Sequence, residues 1–119
     1  MTPVPFSTHR LDAILAQRQA EAEATRQDLL KKTLQWLQEN AAAYGIRHGY
    51  LFGSVTESGR FRQASDIDLA IETLKEGQPF GLMGALSLQV NREVDLAPLD
   101  QCHFADKIRQ VGIAWTAAD

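Results

Sequence analysis

The stretch DIDLAI, residues 66–71, decides the fold that this chain can adopt. Alternate side chains of an extended strand point to the same face. The two aspartates therefore share one face with an alanine, while the isoleucines and the leucine share the other. This pattern predicts a strand whose aliphatic face packs into a core and whose acidic face stays open.

Asp66 and Asp68 repel each other when they share one face, because a two-residue step along a strand separates them by only about 7 Å. A cation between them removes that cost, and Mg²⁺ is the natural candidate, since it binds one or two carboxylates together with substrate phosphates. An Asp-x-Asp pair alone is more often an exposed strand edge or a turn than a metal site. The interpretation therefore depends on what surrounds it.

A second acidic strand is predicted at residues 93–99, where Val94 and Leu96 share one face and Asp95 takes the opposite one. If this strand lies beside residues 66–71 with both apolar faces inward, Asp95 joins the two other aspartates. Three carboxylates on one open sheet face suit a site for two metal ions, which clamps the attacking and leaving oxygens of an in-line displacement.

The dipeptide Gly53-Ser54 follows a predicted strand at residues 46–52. Glycine allows a ligand to approach the backbone closely, and the N–H groups of a turn bind anions. Ser54 adds a hydroxyl donor. Arg60 and Arg62, in the following loop, are further candidate phosphate donors, although loop arginines are more often solvated.

The remaining elements are predicted to be a helix at residues 79–90, a short helix at 104–110 and a short last strand at 113–115. Helices and strands are mixed along the chain after Gly45. The fold class is therefore α/β (α+β), with a small mixed β-sheet flanked by helices.

The N-terminal part lacks glycine and proline from Thr8 to Tyr44, and Gly45 is a natural helix stop. Two interpretations remain open: two helices with a weak alanine-rich middle, or one long helix whose first half projects. We assign residues 1–27 to an N-terminal arm or helical extension and 28–119 to the main domain, with 28–44 docked on it. A projecting arm indicates a partner, and one such partner is another copy of the chain in an oligomer.

The composition describes an ordinary globular chain of 119 residues, with 45% hydrophobic and 23% charged residues. This length fits one domain. The formal net charge of −3 argues against a broad nucleic-acid-binding surface. A single cysteine, Cys102, and the lack of a long apolar run predict a cytoplasmic protein without a membrane span.

The joint pattern of a strand, Gly53-Ser54, the Asp66/Asp68 pair and Asp95 in an apolar strand resembles the DNA-polymerase-β-like nucleotidyltransferase superfamily. The resemblance covers about residues 30–116. Within that superfamily the short chain is similar to the minimal nucleotidyltransferases, the MNT antitoxins of HEPN/MNT toxin–antitoxin systems.

The resemblance implies that Asp66, Asp68 and Asp95 bind two Mg²⁺ ions and are the catalytic residues. It implies nucleotide binding by Gly53 and Ser54, and Ser65, Arg60 and Arg62 complete the predicted nucleotide-binding set. The expected reaction transfers AMP from ATP to a hydroxyl of a partner protein, a tyrosine of a HEPN ribonuclease toxin. The protein would then be an antitoxin acting by AMPylation.

A second interpretation is an inactive antitoxin that neutralises its partner by forming a complex. It is motivated by the loop after Ser54, in which eleven residues separate Ser54 from Asp66 and Glu57 brings a negative charge near the predicted phosphate site. Both interpretations need the same fold, and they differ in whether a nucleotide is consumed.

Overall fold

The computed structural model describes residues 8–62 and 64–118, which form a four-stranded mixed sheet with three α-helices. This confirms the predicted fold class. The elements along the chain are α1 (Thr8–Asn40), β1 (His48–Phe52), β2 (Ile67–Ile71), α2 (Pro79–Val90), β3 (Val94–Pro98), α3 (Ala105–Val111) and β4 (Ile113–Thr116).

The sheet has the strand order β3-β2-β1-β4. β1 lies at its centre and is antiparallel to both β2 and β4, whereas β2 and β3 are parallel. A parallel pair needs a crossover connection, and α2 provides it. This topology brings the two strands that carry the aspartates side by side.

The two faces of the sheet carry different layers. A large apolar cluster on one face joins strand residues such as Leu51 and Leu69 to Leu37 of α1 and to Leu82 and Leu86 of α2, all fully buried. A smaller cluster lies on the other face, where α3 covers β2. The aspartates belong to this second, more open face.

The first helix is continuous for 33 residues and crosses residues 27 and 28 without interruption. Of the two interpretations of this segment, the structure shows the single long helix. It continues into a 3₁₀ turn at Ala41–Tyr44, and Gly45 ends it in the left-handed conformation with φ 74°. Residues 1–7 of the predicted N-terminal arm or extension (1–27) lie outside the described residues.

Arg26 of α1 is buried against the domain and only 9% exposed. Its guanidinium pairs with Glu23 one turn earlier and donates a 3.0 Å hydrogen bond to the carbonyl oxygen of Val55. The Arg26 hydrogen bond lowers the pKa of Glu23 to about 2. Because Val55 directly follows Ser54, the long helix supports the glycine-serine turn.

Replacing Arg26 by methionine is expected to destabilise the protein by about 1–3 kcal/mol, because the Val55 carbonyl loses its charged donor while the aliphatic packing remains. Chemical denaturation measures the free energy of unfolding. Lys32→Met is the matched control, since the Lys32–Asp28 ion pair is 70% and 61% exposed. That control should cost less than about 1 kcal/mol. Equal losses for both variants would contradict the role given to Arg26.

Candidate active site

The glycine-serine turn begins where β1 ends. Residues Gly53–Thr56 form a 3₁₀ turn, and the Thr56 hydroxyl donates a 2.7 Å hydrogen bond to the Gly53 carbonyl oxygen. The Ser54 hydroxyl makes no hydrogen bond to any residue that the structure describes. It is therefore available to a ligand.

Gly53 lies directly against the carboxylate of Asp68. A Cβ atom added to Gly53 would stand 2.1 Å from Oδ2 of Asp68, far inside van der Waals contact. Gly53 also has a φ of 76°, a conformation that favours glycine. Both the backbone shape and the close approach to Asp68 therefore require glycine here.

Asp95 lies directly opposite Asp68 in the parallel pairing of β2 and β3. Paired residues of neighbouring strands point to the same face, so these two carboxylates share the face that the alternating pattern predicted. Asp95 is exposed, and Asp68 and Asp66 are partly buried. The sheet thus brings together residues that are 27 positions apart in the sequence.

The pKa of Asp68 lies above its ordinary value. Burial is the largest cause, because it disfavours the charged form, and the negative charges of Asp95 and Asp66 raise the pKa further. The three carboxylates therefore interact electrostatically. Such a group of carboxylates beside the glycine-serine turn suits a cationic or cation-bound ligand.

A family model described as "Polymerase beta, Nucleotidyltransferase" matches residues 31–115. The chain belongs to the polymerase-β nucleotidyltransferase family. The match contains Gly53, Ser54 and all three aspartates, and it begins within the docked half of α1. No curated protein and no solved structure gives a significant match.

Nucleotidyltransferase domains typically use a nucleoside triphosphate and a divalent metal. Within residues 8–62 and 64–118, no three His, Cys, Asp or Glu side chains are grouped closely enough to hold a metal ion by themselves. Mg²⁺ commonly takes only one or two protein carboxylates and completes its shell with phosphates and water. The coupled carboxylates of Asp68 and Asp95 fit that requirement.

The other predicted nucleotide-binding residues of this nucleotidyltransferase have different surroundings. Arg60 lines a cleft that also contains Gly53, and its guanidinium pairs with Glu57. Arg62 lines another cavity, beside Glu23, and donates to the Gly59 and Phe61 carbonyl oxygens. The structure therefore brings Arg60, but not Arg62, to the glycine-serine turn.

Ser65 has a local structural contact. Its hydroxyl oxygen accepts a 2.8 Å hydrogen bond from the Arg62 backbone N–H. The Ser65 carbonyl accepts a 2.9 Å hydrogen bond from Arg92, whose guanidinium also lies 4.8 Å from the centre of the Phe61 ring. These contacts fix the loop that leads into Asp66.

Sequence reasoning missed Arg92 and Arg26, which hold the two loops of this candidate site. Arg92 lies just before β3, and its place before an acidic strand is a weak signal. Arg26 is one of many charged residues in α1 and carries no local signal.

Among the described helices, none is both long and apolar enough to cross a lipid bilayer.

The raised pKa of Asp68 predicts that replacing this residue by asparagine stabilises the folded protein in a pH-dependent way. A raised pKa in the folded state means that protonation stabilises the folded protein. This stabilisation is fully present below the unfolded pKa of about 3.9 and is lost as pH rises through the folded pKa. The asparagine side chain carries no charge at any pH, so the variant avoids that loss.

In chelator-containing buffer, Asp68→Asn is therefore expected to have a higher Tm than the wild type at pH 7. The difference should shrink as the pH approaches about 4. Circular dichroism melts at a series of pH values measure it. Asp12→Asn, at an exposed position of α1, is the control and should leave Tm unchanged at each pH. A lower Tm for Asp68→Asn at pH 7 would contradict the electrostatic interpretation.

Proposed function

We propose that this domain transfers AMP from ATP to a hydroxyl of a partner protein in the cytoplasm, and that the acceptor is a tyrosine of a HEPN ribonuclease toxin. The proposal is supported by family membership, which implies nucleotidyl transfer in general. One observation carries the chemistry: Asp68 and Asp95 stand opposite each other on parallel strands, with Gly53 against the Asp68 carboxylate.

The Gly53–Thr56 turn would bind the triphosphate. Its backbone N–H groups and the unpartnered Ser54 hydroxyl are donors for phosphate oxygens. Because Gly53 has no side chain, the phosphates can come as close to Asp68 as the shared cation needs. The turn is held from behind by Arg26, which fixes its position before the nucleotide arrives.

Asp66, Asp68 and Asp95 would hold two Mg²⁺ ions, with nucleotide phosphates completing their coordination. Bound metal would supply charge neutralisation at the α-phosphate and at the departing pyrophosphate. Asp95 is the exposed member of the group. It would therefore meet the acceptor from solvent, orient the hydroxyl and accept its proton.

In the proposed reaction, the acceptor oxygen forms a bond to the α-phosphorus while the bond from that phosphorus to the bridging oxygen breaks. Pyrophosphate leaves with the bonding electrons, and the hydroxyl proton passes to Asp95 and then to solvent. Catalysis of this kind consists mainly of positioning and electrostatic stabilisation.

The partner would contact the open face of the sheet or the projecting half of α1. That half carries three partly exposed aliphatic residues, Leu11, Ile14 and Leu15, at 41–47% exposure. An apolar patch on a projecting helix favours contact with another protein.

Sedimentation equilibrium tests whether the partner is a second copy of this chain. If it is, the double variant Leu11→Gln with Leu15→Gln should reduce the measured molecular mass to that of the monomer.

The deciding experiment uses ATP labelled at either the α- or the γ-phosphate, with Mg²⁺ and a purified HEPN toxin. Transfer of AMP predicts label on the toxin from α-labelled ATP only, because the γ-phosphate leaves in pyrophosphate. Replacing the acceptor tyrosine by phenylalanine should remove the label. Label from γ-labelled ATP, or none from either, would overturn the proposal.

An inactive binding module is the second candidate, and the Arg60–Glu57 ion pair favours it. Arg60 is a cation beside the glycine-serine turn, and Glu57 already neutralises it. In that case the toxin is silenced in a stable complex without label, and the complex forms equally well without nucleotide.

A further inference from the structure

A cleft of about 350 Å³ opens beside the glycine-serine turn, and the proposed chemistry gives no role to its α3 side. Phe52, Gly53 and Arg60 line one side, and Phe104, Lys107 and Val111 of the α3 region line the other. Gly53 belongs both to the cleft and to the contact with Asp68. Gly53 therefore borders both the cleft and Asp68, although none of the three aspartates lines the cleft itself.

The cleft also lies on the same sheet face as the carboxylates. Phe52 pairs with Asp68 across β1 and β2, and paired residues point to one face. Phe52 packs against the smaller apolar cluster that α3 covers. A ligand bound at the Gly53–Thr56 turn would therefore meet Phe52 without crossing the sheet.

Two apolar side chains at this cleft are exposed without a role in the core. Phe104 is 47% exposed and Val111 is 64% exposed, whereas Ala105 and Ile108 supply the buried contacts of α3. The His103 ring meets the Phe104 ring edge-on, at 5.0 Å between centroids. The fold thus presents an aromatic surface beside the site that its own packing does not need.

The cleft also has a free cation. Lys107 projects from α3 into its lining and forms no ion pair with any residue in the described ranges. Arg60 stands on the opposite side and is paired with Glu57, which also lines the cleft, so Lys107 is the cation left over. A ligand that suits this cleft therefore combines a flat apolar group with a negative charge near Gly53.

We propose that the cleft binds the base of the nucleoside triphosphate, which stacks against Phe104 and Phe52 while Lys107 contacts its phosphates. This inference rests on the proposed nucleotidyl transfer and adds the place where the base binds. A nucleotide carries a flat ring and an anionic tail in one molecule. A tyrosine acceptor is neutral, so it needs neither Lys107 nor Arg60. Because base–aromatic stacking tolerates every base, this cleft predicts weak discrimination between ATP and GTP.

The test compares two ligands that differ in having a base. Isothermal titration calorimetry measures the binding of a non-hydrolysable ATP analogue and of inorganic tripolyphosphate, both with Mg²⁺. Phe104→Ala is expected to weaken the analogue about tenfold, the size of one stacking contact, and to leave tripolyphosphate unchanged. Lys107→Met should weaken both ligands.

Leu88→Ala is the matched control, because Leu88 is an 86% exposed aliphatic residue on α2, outside the lining of the cleft. It should bind both ligands like the wild type. Thermal melts of each variant exclude a loss of folding as the cause of weaker binding.

The outcomes separate this inference from the function on which it rests. If Phe104→Ala binds the analogue normally, the base lies elsewhere, and nucleotidyl transfer still stands. If that variant binds the analogue normally but loses labelling of the partner, the cleft receives the acceptor protein, and the inference is overturned. If the wild type binds neither ligand, the proposed function itself fails.

Discussion

Replacing Asp66 and Asp68 together by asparagine is expected to reduce AMP transfer by at least about 10³-fold. The double variant removes two of the three negative charges that would hold the metal ions. Loss of one preorganised electrostatic contact alone typically costs about 10²–10³-fold in rate. Initial rates of label transfer from α-labelled ATP measure the effect, and tripolyphosphate binding should be lost in the same variant.

The control for this prediction is Asp100→Asn, which removes an exposed carboxylate in the turn after β3. It changes the net charge by one without touching the site, so transfer should remain within about twofold of wild type. Transfer that survives in the double variant would exclude the three carboxylates as the catalytic group. The inactive binding module predicts instead that the variant still silences the toxin.

Replacing Gly53 by alanine is expected to reduce AMP transfer by about 10²-fold or more. The new Cβ would overlap Oδ2 of Asp68, so the carboxylate or the turn must move. A displacement of about 1 Å at a site of this kind can cost about 10²-fold in rate. The variant should also be less stable, because alanine is strained at a φ of 76°.

Gly59→Ala separates these two effects. Gly59 has a similar φ of 87°, but a Cβ added there meets no atom within 4 Å. Both variants should therefore carry a comparable backbone cost of about 1 kcal/mol in urea denaturation, to which the overlap with Asp68 adds in Gly53→Ala only. Only Gly53→Ala should lose transfer and Mg²⁺-dependent nucleotide binding. Equal activity in the two variants would disprove the close approach of the turn to Asp68.

The sequence predicted those parts of the fold in which local pattern and tertiary packing agree. The alternation at residues 66–71 predicted a strand with two chemically different faces, and β2 has both. The predicted bounds of α2 are confirmed at Pro79–Val90. Gly45 ends the first helical segment as predicted, because its left-handed conformation is one that glycine readily adopts.

The course of the first helix could not be predicted from local pattern. Residues 17–27 offer only alanines as apolar residues, so periodicity does not show whether the helix continues. The contact that docks this part joins Arg26 to the carbonyl of Val55, 29 residues away. Only the folded chain brings those groups together.

The site was predictable to the extent that spacing determines position. A period of two places both aspartates of the Asp-x-Asp pair on one face, and the same rule places Asp95 on the corresponding face of β3. The arginines of the loop follow no such rule. Glu57 pairs with the Arg60 guanidinium, and the carbonyl oxygens of Gly59 and Phe61 accept from the Arg62 guanidinium, which separates Arg62 from the turn.

The extended first helix also determines how the molecule moves in solution. The protein measures 69 × 29 × 19 Å and has a radius of gyration of 18.1 Å, whereas a compact chain of this length would have about 13.5 Å. Its friction therefore exceeds that of a sphere of equal mass. A monomer will leave a gel-filtration column early, at the volume of a heavier globular standard, and its rotational diffusion will be strongly anisotropic.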